Sequence, residues 1–491
     1  MCPTKGLLSR RRLVHGAASL AALSLLQGCG YSANPNYVLP SANPLPSPAG
    51  PVVQGTLTLT TNTTGVVPSH FMGLSYEKFT MSYGYFHPSN RNLIALFRRL
   101  GDGVLRIGGG SVDQVLWTSN SRGATHAQVT PANIKALAGF LQATGWRCLY
   151  GVNLATSTPA LAAEEVVYAA RTLGSNLFGV EIGNECDEYG LAGNFFAGDW
   201  TFADFLTRWD SFRAAILQVA PDVPFTGPAT GGGNHISTWT LPFGQSLTAS
   251  EITLLTQHYY RASGASTIST ASFLISPDPK LSGELTMLNT GAQQLRIPYR
   301  ISECNSFSNG GAAGVSNSYA SSLWVIDFLY CTALGGATGI NMQSGGNAAG
   351  YTPIADDSGA VVEVRPEYYG LLLFALAGEG ALLETQMSIG NVDATAYAVR
   401  QENGGVNLMV VNKDTLQNLT LTIETNQSIQ TAIQQTMRGP SLAATSGVTI
   451  QGATVNKDGS FSPVSPDTLT PAGTRTTCYI PALSAAIISI T

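Results

Sequence analysis

The sequence predicts an α/β protein: a parallel (β/α)8 TIM barrel followed by an all-β sandwich. From Phe71 to about Gly380, short β-rich runs alternate with helical stretches, and eight such alternations make a closed parallel barrel. After Gly380 the apolar period changes to two, which marks half-buried strands. A doubly wound open sheet is the competing arrangement, but no GxGxxG stands between a strand and a helix and no P-loop appears.

The eight expected strands are Phe71–Glu77, Val104–Gly109, Trp146–Asn153, Phe178–Glu185, Val223–Ala229, Leu254–Tyr260, Tyr299–Asn305 and Ala337–Gln343. Thr130-Pro131 and Thr158-Pro159 each supply an N-cap followed by proline at the first helical position. Asn90–Leu100, Ala203–Ala220 and Ser318–Leu334 carry apolar residues at three- and four-residue spacing. Beyond Gly380, Asp393–Arg400, Val406–Asn412, Leu419–Glu424 and Ala482–Thr491 alternate apolar and polar residues between Gly/Asn/Asp turns. Gly55–Thr60 alternates in the same way and is expected to add a strand to the C-terminal sheet, tying the chain ends together. The expected segments are thus 67–380 for the barrel, 381–491 for the sandwich and 54–66 for the added strand.

Composition narrows the ligand. The 491 residues include 25 Lys+Arg and 30 Asp+Glu, and charged residues make up only 11%. Nucleic acid is excluded as a partner, because neutralising phosphates needs clustered basic residues. With 44% hydrophobic residues, disorder is excluded as well. A surface rich in Gly, Ser, Thr and Asn suits uncharged or mildly anionic ligands.

Ser9-Arg10-Arg11-Arg12-Leu13 precedes an apolar run, Ala17 to Leu26, that is too short to span a bilayer. It reads as a twin-arginine export signal over residues 1–28. The run ends in Leu26-Gln27-Gly28-Cys29, which resembles a bacterial lipobox, with Cys29 as the lipidated first residue. The alternative is an ordinary cleaved signal followed by a chance cysteine. Residues 29–53, with prolines at 35, 40, 44, 46, 48 and 51, form an extended tether. Lipidation would make the anchor the chain's one membrane contact and place it in the periplasm or on the cell surface. Removing the four basic residues of the signal leaves 21 basic against 30 acidic groups, a net −9. Of seven cysteines, Cys148, Cys186, Cys304, Cys331 and Cys478 remain beyond Cys2 and Cys29. Their odd number leaves one thiol free at least, no pairing is selected, and no Cys/His spacing offers a metal site.

Catalytic groups of such barrels project from the C-terminal strand ends. The fourth strand closes on Glu181-Ile182-Gly183-Asn184-Glu185 and the seventh on Arg300-Ile301-Ser302-Glu303. A charge ending an apolar strand is costly unless paired or used. Glu185 and Glu303 lie 118 residues apart. At about 39 residues per strand–helix unit, three units predict about 116. Two carboxyls across one barrel mouth are what glycoside hydrolysis requires, one protonated for the leaving oxygen and one ionised to attack. Asn184 can donate to a sugar 2-hydroxyl. Glu181 is expected to pair with Arg106 or Arg300, and Glu77 is a further rim carboxylate. Cys186 and Cys304 follow the two glutamates and are expected to pack behind them. His258 reads as a structural histidine, and Tyr259 and Tyr260 read equally well as rim packing.

Ile182-Gly183-Asn184-Glu185, Gln257-His258-Tyr259-Tyr260, Arg106-Ile107-Gly108-Gly109-Gly110-Ser111-Val112-Asp113 and Gly350-Tyr351-Thr352 together resemble glycoside hydrolase family 79, which contains heparanases and β-glucuronidases. The resemblance implies Glu185 as acid/base, Glu303 as nucleophile, Tyr259 orienting Glu303 and Asp113 binding a ring hydroxyl. It implies that Gly350, Tyr351 and Thr352 capture a glucuronate carboxylate with backbone and hydroxyl donors, so that a glucuronate-containing carbohydrate is the ligand and no cofactor or metal is needed. Where the family's glucuronidases often carry a tyrosine after the nucleophile, this chain has Ser308. The expected activity is a retaining exo-β-glucuronidase. Its rivals are an endo-acting heparanase-like hydrolase, a neutral-sugar β-glycosidase and a catalytically inactive carbohydrate-binding lipoprotein. The first rival calls for a basic cleft that this composition does not favour.

Overall fold

The computed structural model describes residues 49–196, 198–346 and 350–491; the export signal, Cys29 and most of the proline-rich tether lie outside them. Eight parallel strands close a barrel in chain order: Gly73–Glu77, Val104–Gly108, Arg147–Val152, Leu177–Ile182, Phe225–Thr230, Leu254–Ser263, Tyr299–Ser308 and Ile340–Ser344. The eighth pairs with the first, Met342 opposite Leu74. Each expected strand overlaps an observed one. The fourth stops at Ile182 rather than Glu185. Gly183 there has φ 85°, and a Cβ at that position would meet Cys186 Sγ at 2.4 Å, so the chain turns where only glycine fits.

The helices start where their caps say. Thr130 caps Pro131–Thr144 and forms a capping box with Asn133, while Thr158 caps Pro159–Leu173. Thr201 caps Phe202–Leu217 with Asp204 reciprocating. At the barrel floor, fully buried Arg300 donates to Asn341 Oδ1 (2.6 Å) and to the carbonyls of His70, Phe71 and Ile340. A guanidinium with five fixed donors can satisfy several carbonyls at once, so this cation staples strands seven and eight to the start of strand one.

Ten further strands join one sheet, and two short pairs, Leu116–Trp117 with Gln128–Val129 and Ile354–Asp357 with Ala360–Val364, stand apart from it. The N-terminal strand Val52–Val67, which contains Gly55–Thr60, runs antiparallel to Gly380–Ser388 and parallel to Asn418–Glu424, linking what would otherwise be separate halves. Alternation divides the sheet's two faces. Leu408 and Val410 join the sheet's own core with Leu421 and Ile488, whereas Met409 and Val411 join the barrel's core. The contact runs through the helices Tyr319–Leu334 and Pro366–Ala377, both almost wholly buried. Tyr319 Oη donates to the Leu483 carbonyl at 3.1 Å, and Lys413 on the sheet pairs with Asp327 on the first helix at 2.7 Å. Among the described residues no helix is long and apolar enough to cross a membrane.

Candidate active site

The mouth of the barrel gathers a buried charge network around Arg106. This residue sits in strand two and is fully buried. Its Nε donates to Glu181 Oε1 (2.7 Å), Nη1 to Glu303 Oε2 (2.7 Å) and Nη2 to Asn184 Oδ1 (2.8 Å). Burial alone would lower its pKa, but Glu181 and Glu303 more than offset that and keep the guanidinium charged. Of the two partners considered for Glu181, the structure therefore selects Arg106.

Glu303 enters the site at a bulge. Pairing slips between Ile301 and Glu303 on the strand-six side and between Ile301 and Cys304 on the strand-eight side, which re-aims side chains at that point. Tyr260 Oη donates to Glu303 Oε1 at 2.9 Å. Burial and then the charge of Glu303 push the Tyr260 pKa well above its usual value, so the phenol remains a donor. Cys304 points away and packs against Met342 and the Asn341 carbonyl; Cys186 is buried in the same manner behind Glu185. All five cysteines of the described residues are free thiols.

Glu185 sits in the left-handed region at φ 49°, with its N–H donating to the Ala229 carbonyl at 2.9 Å. A non-glycine residue there is strained by about 1–3 kcal/mol and persists because the surroundings over-determine it. One Glu185 oxygen lies 3.0 Å from His258 Nδ1. Burial, then the charge of Asp187, pushes the Glu185 pKa up to about 7, with Arg106 opposing. Glu77, at the end of strand one, is raised to about 7 by burial, against hydrogen bonding from Ser111. His258 is fully buried, and burial lowers its pKa, so the ring is neutral.

Donor atoms of Glu185, His258 and Glu303 come within 4.8 Å of one another. A cation placed among them would lie close to the guanidinium on Glu303. The arrangement suits proton transfer beside a fixed carboxylate better than it suits a metal ion.

Several expected roles need correction. Tyr259 does not orient Glu303: its hydroxyl bonds Asp278 outside the barrel and its ring stacks on Phe328, 5.7 Å between centroids. Successive side chains of a strand alternate, so Tyr260 and His258 share the inner face and Tyr259 cannot. Asp113 is not placed to hold a ring hydroxyl. It is 1% exposed and accepts from the N–H groups of Leu154 (2.8 Å), Ala155 (3.1 Å) and Asn184 (3.0 Å) and from Tyr189 Oη. Its role is to knit the loops after strands two, three and four and to fix Asn184. Two members of the strand-eight loop are also engaged internally. Gly350 N–H donates to the Gly310 carbonyl, and buried Thr352 Oγ1 accepts from Gly345 N–H and donates to the Ile354 carbonyl. Tyr351 alone of the three faces the site, its ring 6.3 Å from that of Tyr260 and its hydroxyl influenced by Glu303, Glu77 and Glu185. Ser308 closes strand seven, its carbonyl accepting from Gly264 N–H.

No family model matches the chain. It is similar to a β-glucuronidase of Aspergillus niger, 25% identical over 359 residues; the match spans 63% of this chain and 63% of that protein, under two thirds of its length. Among solved structures, a 4-O-α-L-rhamnosyl-β-D-glucuronidase from Fusarium oxysporum superposes with a TM-score of 0.73 at 18% identity, covering 89% of this chain and all of that one. A family 51 arabinofuranosidase from Xanthomonas axonopodis follows the same fold with a TM-score of 0.61 at 15% identity, over 90% of this chain and all of that one. These likenesses show a shared fold over about nine tenths of this chain.

Proposed function

We propose that the chain is a retaining exo-β-glucuronidase that removes a terminal glucuronate, and that it belongs with glycoside hydrolase family 79. The observation that carries this reading is the pair Glu185 and Glu303, held close together in opposite environments. Glu303 accepts from Arg106 and Tyr260, an arrangement made for a carboxylate. Glu185, with a pKa near 7, holds a proton at neutral pH and below. Glu303 attacks the anomeric carbon while Glu185 gives its proton to the leaving oxygen. Glu185 then takes a proton from water, which attacks the glycosyl-enzyme from the same face and frees Glu303. A carboxyl separation of about 5–5.5 Å suits this double displacement. Because Asn184 Oδ1 is occupied by Arg106, its NH2 is left to donate to the sugar 2-hydroxyl. The name of the Aspergillus relative supports glucuronide as the substrate class.

The Tyr351 hydroxyl, with Glu77 when protonated, is the donor proposed for the sugar carboxylate. The export signal and Cys29 would place the enzyme outside the cytoplasm on a lipid anchor. The test is a panel of 4-nitrophenyl β-glucuronide, β-glucoside and β-xyloside, with NMR of the first-formed product. Turnover of the glucuronide alone to the β-anomer is expected. Preference for a neutral sugar, or a first-formed α-anomer, overturns the proposal.

A further inference from the structure

Resting on that reading of Glu185, we infer that His235 is a positioning residue for the acid/base. Through Asp187 it latches the loop after strand five onto Glu185, and by gaining or losing a proton at Nε2 it masks or unmasks the carboxylate beside that residue. The loop needs a latch. At its base the Thr230 carbonyl accepts from Gln257 Nε2 of strand six at 2.9 Å. The next three residues, Gly231, Gly232 and Gly233, have no side chains to pack, and glycine loses more conformational freedom on being fixed than any other residue. Space demands them. A Cβ at Gly231 would meet Glu185 Cδ at 2.9 Å, and one at Gly233 would strike the carboxyl of Glu284.

Asp187, in the turn directly after Glu185, closes the latch. Its side chain is buried, with Oδ1 accepting from Gly231 N–H at 3.0 Å and Oδ2 from His235 Nδ1 at 2.6 Å. A carboxylate only accepts, so Nδ1 carries the ring proton and Nε2, on a side chain 32% exposed, is the atom that titrates. The bond to Asp187 raises the His235 pKa above its ordinary value; burial opposes it, and the charges of Asp187 and Glu188 add to it. An imidazolium on Oδ2 cancels the charge with which Asp187 favours the proton on Glu185, whereas a neutral ring leaves that charge acting. Other groups face the same parts. Glu185 also meets His258, Arg106, Tyr260 and Tyr351. From the helix Pro279–Leu295, Glu284 faces the loop, pushed up to about 7 by burial against Lys280.

The experiment has two arms. NMR of protein carrying 13Cε1-histidine follows the His235 titration independently of catalysis. A pKa above that of free histidine is expected, falling by about one unit in Asp187→Asn. The second arm records kcat and the pH profile of kcat/KM on 4-nitrophenyl β-glucuronide. His235→Asn sets an amide N–H where Nδ1 stands, keeping the bond and removing the charge; His235→Ala removes both. In His235→Ala kcat is expected to fall about tenfold, because the loop no longer holds Glu185 in place. His235→Asn is expected to restore most of it. Its descending limb should lie above that of the wild type by about a few tenths of a unit, opposite in sense to Asp187→Asn. Glu284→Gln, which removes the other group titrating against the loop, should leave the limb where it is. A His235 titration indifferent to Asp187→Asn, a kcat unmoved by His235→Ala or not restored by His235→Asn, or a limb that moves down in His235→Asn or follows Glu284→Gln instead overturns the latch and leaves the glucuronidase reading standing. A wild type that does not turn over the glucuronide overturns that reading, and the NMR titrations then decide the latch alone.

Discussion

Changing Tyr260 to Phe removes one hydroxyl and keeps the ring, so it isolates the 2.9 Å hydrogen bond to Glu303. A hydrogen bond to a charged group contributes roughly 1.5–3 kcal/mol. In the proposed mechanism Glu303 is the group aimed at the anomeric carbon, and Arg106 holds only its other oxygen. If the bond acts in the transition state, its loss at about 1.36 kcal/mol per decade slows the glycosylation step by about 10- to 150-fold. The neighbouring change, Tyr259→Phe, is the internal control. It removes a bond to Asp278 on the outer side of the barrel, so it costs stability of about 1–3 kcal/mol and leaves kcat within about twofold. The assay is steady-state and pre-steady-state turnover of 4-nitrophenyl β-glucuronide, with thermal unfolding recorded for both variants. A silent Tyr260→Phe together with a crippled Tyr259→Phe would refute the inner-face assignment.

Three further outcomes follow from the same network. The Glu185 proton is held up to a pKa of about 7, so kcat/KM is expected to fall as pH rises through that value. At pH 8 the protonated fraction is about a tenth. Asp187→Asn removes a charge that raises this pKa, so the descending limb should move to lower pH; a limb that stays put or moves up contradicts the cause assigned. Arg106→Met strands Glu181 and Glu303 without their cation and should destabilise the fold by about 3–5 kcal/mol in denaturant titration. Adding Glu181→Leu should recover part of that loss. Asp113→Ala unties four donors and should lower stability and kcat together, because Asn184 loses its anchor; a change in KM alone would point instead to direct sugar binding.

Much of this arrangement is legible in the sequence. The barrel strands were readable because each is a short apolar run between capped helices, and Thr130 and Thr158 announce helix starts that backbone chemistry enforces. Glu185 and Glu303 stand out in the sequence as carboxylates at the ends of apolar runs, and the fold brings the two together. Less legible was anything that depends on which face of a strand a residue occupies. Tyr259 and Tyr260 are adjacent, and a register error of one residue exchanges inside for outside. Asp113 carries the same charge whether it meets a sugar or four protein donors; only the arrival of Leu154, Ala155, Asn184 and Tyr189 decides. Gly350 and Thr352 sit in a loop whose internal hydrogen bonds leave no periodic trace. The curling of the C-terminal strands into one sheet depends on Val52–Val67 pairing with two partners distant in sequence. The placement of Arg106 could have been inferred, since a lone arginine in an apolar strand that ends at the same mouth must pair with the carboxylates beside it.

The central claim is that Glu303 forms a covalent bond with the anomeric carbon of a β-glucuronide. Its most direct test is mass spectrometry of the enzyme incubated with a 2-deoxy-2-fluoro-β-glucuronosyl fluoride, followed by peptide digestion. The account predicts one fluoroglucuronosyl adduct per chain, on the peptide carrying Glu303 and absent in Glu303→Gln. An adduct on a different carboxylate, or continued hydrolysis of the reagent with no adduct and an α-configured product, would contradict it.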